Sequence, residues 1–141
     1  MKSDTHKNGW LKFIGDRRGF TLVEIIIVVG ILALLTAIVV PNILRSKVNA
    51  NHTRAQATLR SISSALEMYY NTNQAFPTDT DDLITGTPPY LNNDYFTATY
   101  KGYDYTAVLT QSTYFVSAVP TGPNQGLISY QVVTGGVLSE I

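Results

Sequence analysis

Glu24 is the residue of this chain whose placement most needs a chemical reason. It is the fifth residue of a run, 20–40, in which fifteen of 21 positions are Phe, Leu, Ile or Val. So near one end of the run, a carboxylate is either a tolerated interfacial acid that reaches headgroups or water, or a group whose function offsets its cost. Other reactive groups are sparse. His6 lies in a basic N-terminal stretch and His52 stands alone on a helical pattern, so neither a catalytic triad nor a histidine metal cluster can be assembled. Asp79, Asp81 and Asp82 lie close together but lack the glycine and terminal glutamate of a calcium loop, and are expected to serve a helix start instead. The absence of cysteine excludes a disulfide framework, thiolate zinc and a thiol nucleophile. No phosphate loop, dinucleotide fingerprint or haem-attachment motif occurs. No enzyme activity and no cofactor or metal are therefore expected. "NHT" at Asn51 matches a glycosylation acceptor, but it falls mid-helix rather than in a loop.

The element that carries Glu24 has the length of a membrane span. Twenty-one helical residues rise about 31 Å at ~1.5 Å each, against a hydrocarbon core of roughly 30 Å. At about −0.3 to −0.6 kcal/mol each, the large apolar residues outweigh a penalty of roughly +2.5 to +3.5 kcal/mol for one central charge, and Glu24 is not central. Residues 1–19 hold five basic and two acidic residues, a net of +3, whereas residues 20–141 hold five basic and eight acidic, a net of −3. Arg17, Arg18 and Lys12 beside the span favour a cytoplasmic N-terminus, although Arg45, Lys47 and Arg54 beyond it weaken the asymmetry. A secretory signal is cut after its apolar region, next to small residues; here the suggestively placed small residue, Gly19, comes before it. If this leader is removed, the span stays.

"RRGFTLVEIIIVVGILALLTAIVVP" resembles the N-terminal processing and methylation motif of type IV prepilins and of the pseudopilins of type II secretion systems. The motif combines a basic leader, a Gly before a Phe, a Glu five residues into the mature chain and an apolar helix, all in one register. The resemblance implies that Gly19 is the last leader residue, cut from Phe20 by a membrane-embedded prepilin peptidase, and that Phe20 is then N-methylated. It also implies that Glu24 meets the N-terminal amine of an adjacent subunit during filament assembly. A free α-amine is mostly protonated at neutral pH, so two charges that are costly in the membrane offset each other. Desolvation can cancel much of that attraction, but an unmatched charge is strongly penalised, so the pair sets alignment more than it adds strength.

Beyond the span, Leu44, Val48, Ala55, Leu59, Ile62, Leu66 and Tyr69 recur at helical steps and mark one apolar face. Pro41 lacks an amide donor and clashes with the preceding turn, and Gly30 is a second weak point. Both are candidates for a kink; the resemblance adds local loss of helix around residues 33–41 in a filament. The expected domains are a cleaved leader, 1–19, a transmembrane and filament-core half-helix, 20–40, an amphipathic half-helix, 41–73, and a globular head, 74–141. At 68 residues the head folds alone only marginally and is expected to use the upper helix as half of its core. "NTNQAFPTDTDDL" closes the helix and offers Thr78, Asp79 or Thr80 as the N-cap of a short second one. "YDYTAVLT", "TYFVSAV" and "LISYQVV" alternate as β-strands, and Gly135 and Gly136 allow a turn into a last strand at 137–141. The fold class is α+β: a pilin-like long N-terminal helix packed on a small antiparallel sheet.

Three functions follow. The first is a structural subunit of a type IV pilus, a homo-oligomeric helical filament. The second is a pseudopilin in a short periplasmic filament of type II secretion; the lack of an acidic loop near the C-terminus favours the pilus over this. Both imply a prepilin peptidase and methyltransferase, an assembly machinery and a single-pass stage in a bacterial inner membrane, followed by an extracellular filament for the pilus or a periplasmic one for the pseudopilin. The third is surface binding in adhesion, DNA uptake or electron transfer. A body of net −3, with Lys101 the one basic residue after Arg60, argues against nucleic acid as a partner. Tyrosines 90, 95, 100, 103, 105, 114 and 130 are expected to pack a core or its rim rather than relay electrons.

Overall fold

A computed structural model describes residues 19–141. The chain divides into two units, Met1–Val39 and Val40–Ile141. One helix, α1 (Leu22–Asn73), contributes to both. In the first unit its residues are exposed throughout, including large apolar ones such as Ile26, Leu32 and Leu34. Among the described residues α1 is the one candidate membrane span, by length and composition. The polar group of Thr36 is satisfied locally, its Oγ1 donating to the Leu32 carbonyl at 2.8 Å, as a hydroxyl in an apolar helix must be.

The second unit holds the rest of α1, a short α2 (Asp82–Thr85) and four strands: β1 (Tyr103–Leu109), β2 (Tyr114–Pro120), β3 (Tyr130–Val133) and β4 (Val137–Glu140). They form one antiparallel sheet in the order β1-β2-β3-β4. Together with α1 this is the α+β, pilin-like architecture expected. Ala55, Leu59, Ile62 and Leu66 are buried at steps of four, three and four, and share one core with Tyr103, Tyr105, Val116, Ala118, Tyr130 and Val132 of the sheet. The alternation of β1 and β2 puts these residues on the inner face. Gly135 and Gly136, at φ +85° and +74°, form the β3–β4 turn in the left-handed region that favours glycine.

Three local expectations are corrected. Leu44 is 42% exposed, and Val48 and Tyr69 are only half-buried, so the buried face of α1 is shorter than its apolar pattern. The helix ends after Asn73 as expected, where Gln74 turns to φ +59° with its amide still bonded to the Tyr70 carbonyl at 2.7 Å. The residue preceding α2 is Asp81, not Thr78, Asp79 or Thr80, and it makes no side-chain cap. Asp79 instead folds the approach, its Oδ1 accepting from the Asp81 amide at 3.1 Å. Finally, β3 starts at Tyr130 rather than Leu127, because side chains occupy the backbone of 127–128. His52 Nε2 accepts from the Leu127 amide at 3.3 Å, and Tyr103 donates to the Ile128 carbonyl at 2.9 Å.

Candidate filament-assembly site

The N-terminal site begins with two residues that present no obstacle. Gly19 and Phe20 are exposed, Phe20 by 84%, and a side chain added at Gly19 would meet nothing within 4 Å. Thr21 and Glu24 then close on each other. Glu24 Oε2 accepts from the Thr21 amide at 2.8 Å and from the Thr21 hydroxyl at 2.7 Å, while the Glu24 amide donates to Thr21 Oγ1 at 3.2 Å. This reciprocal pattern is a capping box, which satisfies amides at a helix start that have no partner within the helix. Thr21 thus stands as the N-cap of α1, its carbonyl already accepting from Ile25 at 3.3 Å. Glu24 also lies in the first turn, where the helix dipole favours an anion. The spacing T-x-x-E was visible in "TLVE"; treating Glu24 only as a charge for a neighbour overlooked it. Gly30 is open to its surroundings and Pro41 lies inside α1.

Within the second unit, three polar clusters tie the sheet and its loops to α1. The first contains His52, which stands alone in the helical pattern of the sequence but not in the fold. Nε2 accepts from the Leu127 amide, so the proton of a neutral imidazole sits on Nδ1, which faces the Tyr130 hydroxyl at 2.8 Å and that of Tyr103 at 3.3 Å. Burial, then the neighbouring Tyr130 and Tyr105, push the Tyr103 phenol up to about 12, which keeps it a donor to Ile128. The second cluster is Asn51, 4% exposed, whose amide donates to the backbone carbonyl of Gln125 at 2.8 Å and to its side chain at 3.2 Å. An asparagine committed in this way is no glycan acceptor.

The third cluster surrounds the Tyr114 hydroxyl. It donates to Glu67 Oε1 at 3.0 Å and accepts from the Gly136 amide at 3.1 Å. With its own proton given to Glu67, its 2.8 Å bond to Ser63 Oγ has the serine as donor. Glu67 Oε1 also accepts from the Gly135 amide at 3.0 Å, so the β3–β4 turn is clamped to α1. Burial pushes the Tyr114 phenol up, partly opposed by the Ser63 bond. None of these partnerships was expected from the sequence, since they join residues 22 to 78 positions apart.

A single-span helix of this length, capped at its start and carried into a four-stranded antiparallel meander, defines the class of pilin-like proteins. The prokaryotic N-terminal methylation motif matches residues 15–40. A family described as the type IV minor pilin ComP, DNA uptake sequence receptor, matches residues 44–127, more than half of the chain. The type IV wide pilus major component PilA4 of Thermus thermophilus is 31% identical over 109 residues, covering 74% of this chain and 83% of that protein. Type II secretion system core protein G is 40% identical over 67 residues in Pectobacterium carotovorum subsp. carotovorum, covering 48% of this chain and 43% of the relative. In Pseudomonas aeruginosa it is 42% identical over 68 residues, 48% of each chain. The chain thus spans about half the length of these secretion-system relatives. The chain belongs to the type IV pilin and pseudopilin family.

Proposed function

We propose that the chain is a structural subunit of a type IV pilus-like filament. In this reading it is first a single-pass inner-membrane precursor with a cytoplasmic N-terminus. A prepilin peptidase cuts between Gly19 and Phe20, Phe20 is N-methylated, and Glu24 pairs with the Phe20 amine of a neighbouring subunit as the filament grows. Loss of helix between residue 33 and Pro41 belongs to the assembled state. The observation that carries the pilus reading is the extent of the PilA4 match. At 74% of the chain it exceeds the 73 residues through the end of α1, so it includes sequence of the sheet-bearing part.

The second reading, a pseudopilin of a type II secretion system working in the periplasm, is favoured by the higher identities to core protein G over about half of the chain. Both readings use the same processing chemistry and differ in where the filament ends. The description of the ComP family names a DNA uptake receptor, but a body of net −3 supplies few cations for phosphates, and nucleic acid is not the partner assigned here.

Mass spectrometry of the mature chain, in sheared surface filaments and in the washed envelope, tests both. Methyl-Phe20 at the terminus of sheared filaments is the expected result. The same terminus confined to the envelope transfers the assignment to the pseudopilin. An intact leader in both fractions overturns the processing reading altogether.

A further inference from the structure

Outside the N-terminal site, the described surface has one place where cations and aromatic rings converge. Arg54 and Thr58 of α1 line a cleft with Tyr95, Tyr100 and Lys101 of the loop that leads into β1. The loop is built to present Lys101. Tyr100 and Tyr103 exchange backbone hydrogen bonds at 2.9 and 3.1 Å, and Lys101 stands at the tip of that tight turn in a left-handed conformation, φ +53°. Its ammonium lies 5.8 Å from the centre of the Tyr100 ring, which packs edge-on against Tyr95 at 4.9 Å. Arg54 and Lys101 are exposed, and among the described residues neither meets a carboxylate. Lys101, a non-glycine residue at positive φ, thus shares the cleft with a second cation, Arg54.

We infer that this cleft receives the acidic 79–82 segment of a second copy of the chain. Charge decides the occupant. Residues 74–141 carry Asp79, Asp81, Asp82, Asp94, Asp104 and Glu140 against Lys101 alone, and three of those acids fall within four residues that are themselves exposed. Asp94 and Asp104 are engaged locally, with Thr97 and Thr99, whereas Asp82 opens onto a surface groove beside Tyr69 and Asn73. Along α1, Asp82 therefore lies level with residues 69–73 and the cleft level with 54–58, fifteen residues apart. At ~1.5 Å per residue this is an axial offset of roughly 22 Å. Acid and base are on one chain but too far apart to meet within it, which suits a heterologous contact repeated between staggered copies. This inference rests on the filament reading above, which supplies the high effective concentration at which a contact of two or three screened charges forms.

The chain has no cysteine of its own, so engineered pairs are unambiguous. Lys101→Cys with Asp82→Cys is placed in one chain, filaments are sheared from cells, mildly oxidised and run without reductant. A ladder of disulfide-linked dimers and higher multimers is expected from this pair, and monomer alone from either single variant and from Lys101→Cys with Glu140→Cys. Normal filaments that yield only monomer from Lys101/Asp82, or equal ladders from the Glu140 control, overturn the contact and leave the filament reading intact. If the cysteine pair lowers filament yield, the charge swap Lys101→Asp with Asp82→Lys decides. The swap is expected to restore at least half the native yield where each single reversal lowers it several-fold, and a swap no better than its singles overturns the proposal. Absence of filaments from the unsubstituted chain removes the filament reading and this contact with it.

Discussion

Removing one oxygen atom, in Tyr114→Phe, is expected to cost the sheet-bearing unit about 2 kcal/mol. The ring stays, so its edge-on packing against Phe76, 5.0 Å between centroids, is preserved. Of the three groups that meet the hydroxyl, two retain another partner: the Gly136 amide keeps the Val133 carbonyl at 3.0 Å, and Glu67 Oε1 keeps the Gly135 amide at 3.0 Å. Ser63 does not fare as well. It is 5% exposed and its hydroxyl is directed at Tyr114, so the substitution leaves a buried polar group seeking a partner, a loss of roughly 1 to 3 kcal/mol. At ~4 to 8 °C per kcal/mol for a domain near 100 residues, the unfolding midpoint should fall by about 10 °C.

The assay is thermal unfolding of the detergent-solubilised full chain, followed by near-ultraviolet circular dichroism. Tyr70→Phe is the control. Tyr70 also stacks on Phe76, at 4.7 Å, but is 37% exposed, and its hydroxyl has no hydrogen-bond partner among the described residues. It should fall within about 0.5 kcal/mol of the native chain. A Tyr114→Phe midpoint indistinguishable from that control refutes the account of the hydroxyl as the clamp between α1 and the β3–β4 turn.

Glu24→Gln separates two roles of one side chain. It keeps an acceptor for the Thr21 amide and so preserves the helix start, yet filament yield should drop as far as in Glu24→Ala; normal yield from the amide variant would refute a need for charge. Asn51→Ala removes both bonds to Gln125 and should speed proteolytic cleavage within residues 121–128, with a stability loss of about 1 to 2 kcal/mol. Gly126→Ala drives a methyl into the Tyr103 hydroxyl and ring and to 2.9 Å from Pro120 Cβ, and should cost at least ~2 kcal/mol in denaturant titration. In alkali, Tyr103 has a folded pKa raised to about 12 from 10.0. The fold favours the neutral phenol, so stability should be insensitive to this group below pH ~10 and decline as pH rises to about 12. Denaturant midpoints across that window should flatten in Tyr103→Phe, with the remaining slope coming from Tyr105 and Tyr114, whose phenols are also pushed up by burial.

What the sequence disclosed and what it hid differ by range along the chain. The span, its flanking charge and the spacing of Glu24 are written within a few consecutive turns, and so is the alternation of β1 and β2. The strand edges were less legible, because the start of β3 depends on His52 accepting from the Leu127 amide and Tyr103 donating to the Ile128 carbonyl, over 75 and 25 positions. His52 looked idle because its partners come from two strands and a loop distant in sequence. Asn51 was discounted as a glycan acceptor from its helical position, but helical position alone did not reveal its burial or its bonds to Gln125. The apolar stripe of α1 overestimated the core at both ends, since Leu44 is exposed and Tyr69 packs only half-buried against the core.

The capping box bears on why a glutamate, and not any anion, suits position 24. An acid in a membrane span needs donors before a neighbouring subunit arrives, and a helix start needs acceptors for amides that water no longer reaches. At the third helical position both needs are met by one residue: Thr21 gives Glu24 two donors, and Glu24 gives the helix an acceptor at its positive end. Both Thr21 bonds run to Oε2, while an ionised carboxylate offers roughly four lone-pair sites over its two oxygens. An ammonium from a neighbour can therefore be added to the same carboxylate without dismantling the cap. On the proposed reading, the precursor waits in the membrane with its charge already solvated by its own first turn. Assembly then breaks none of the bonds of the cap, and at this site the difference between the two states is the arrival of the amine.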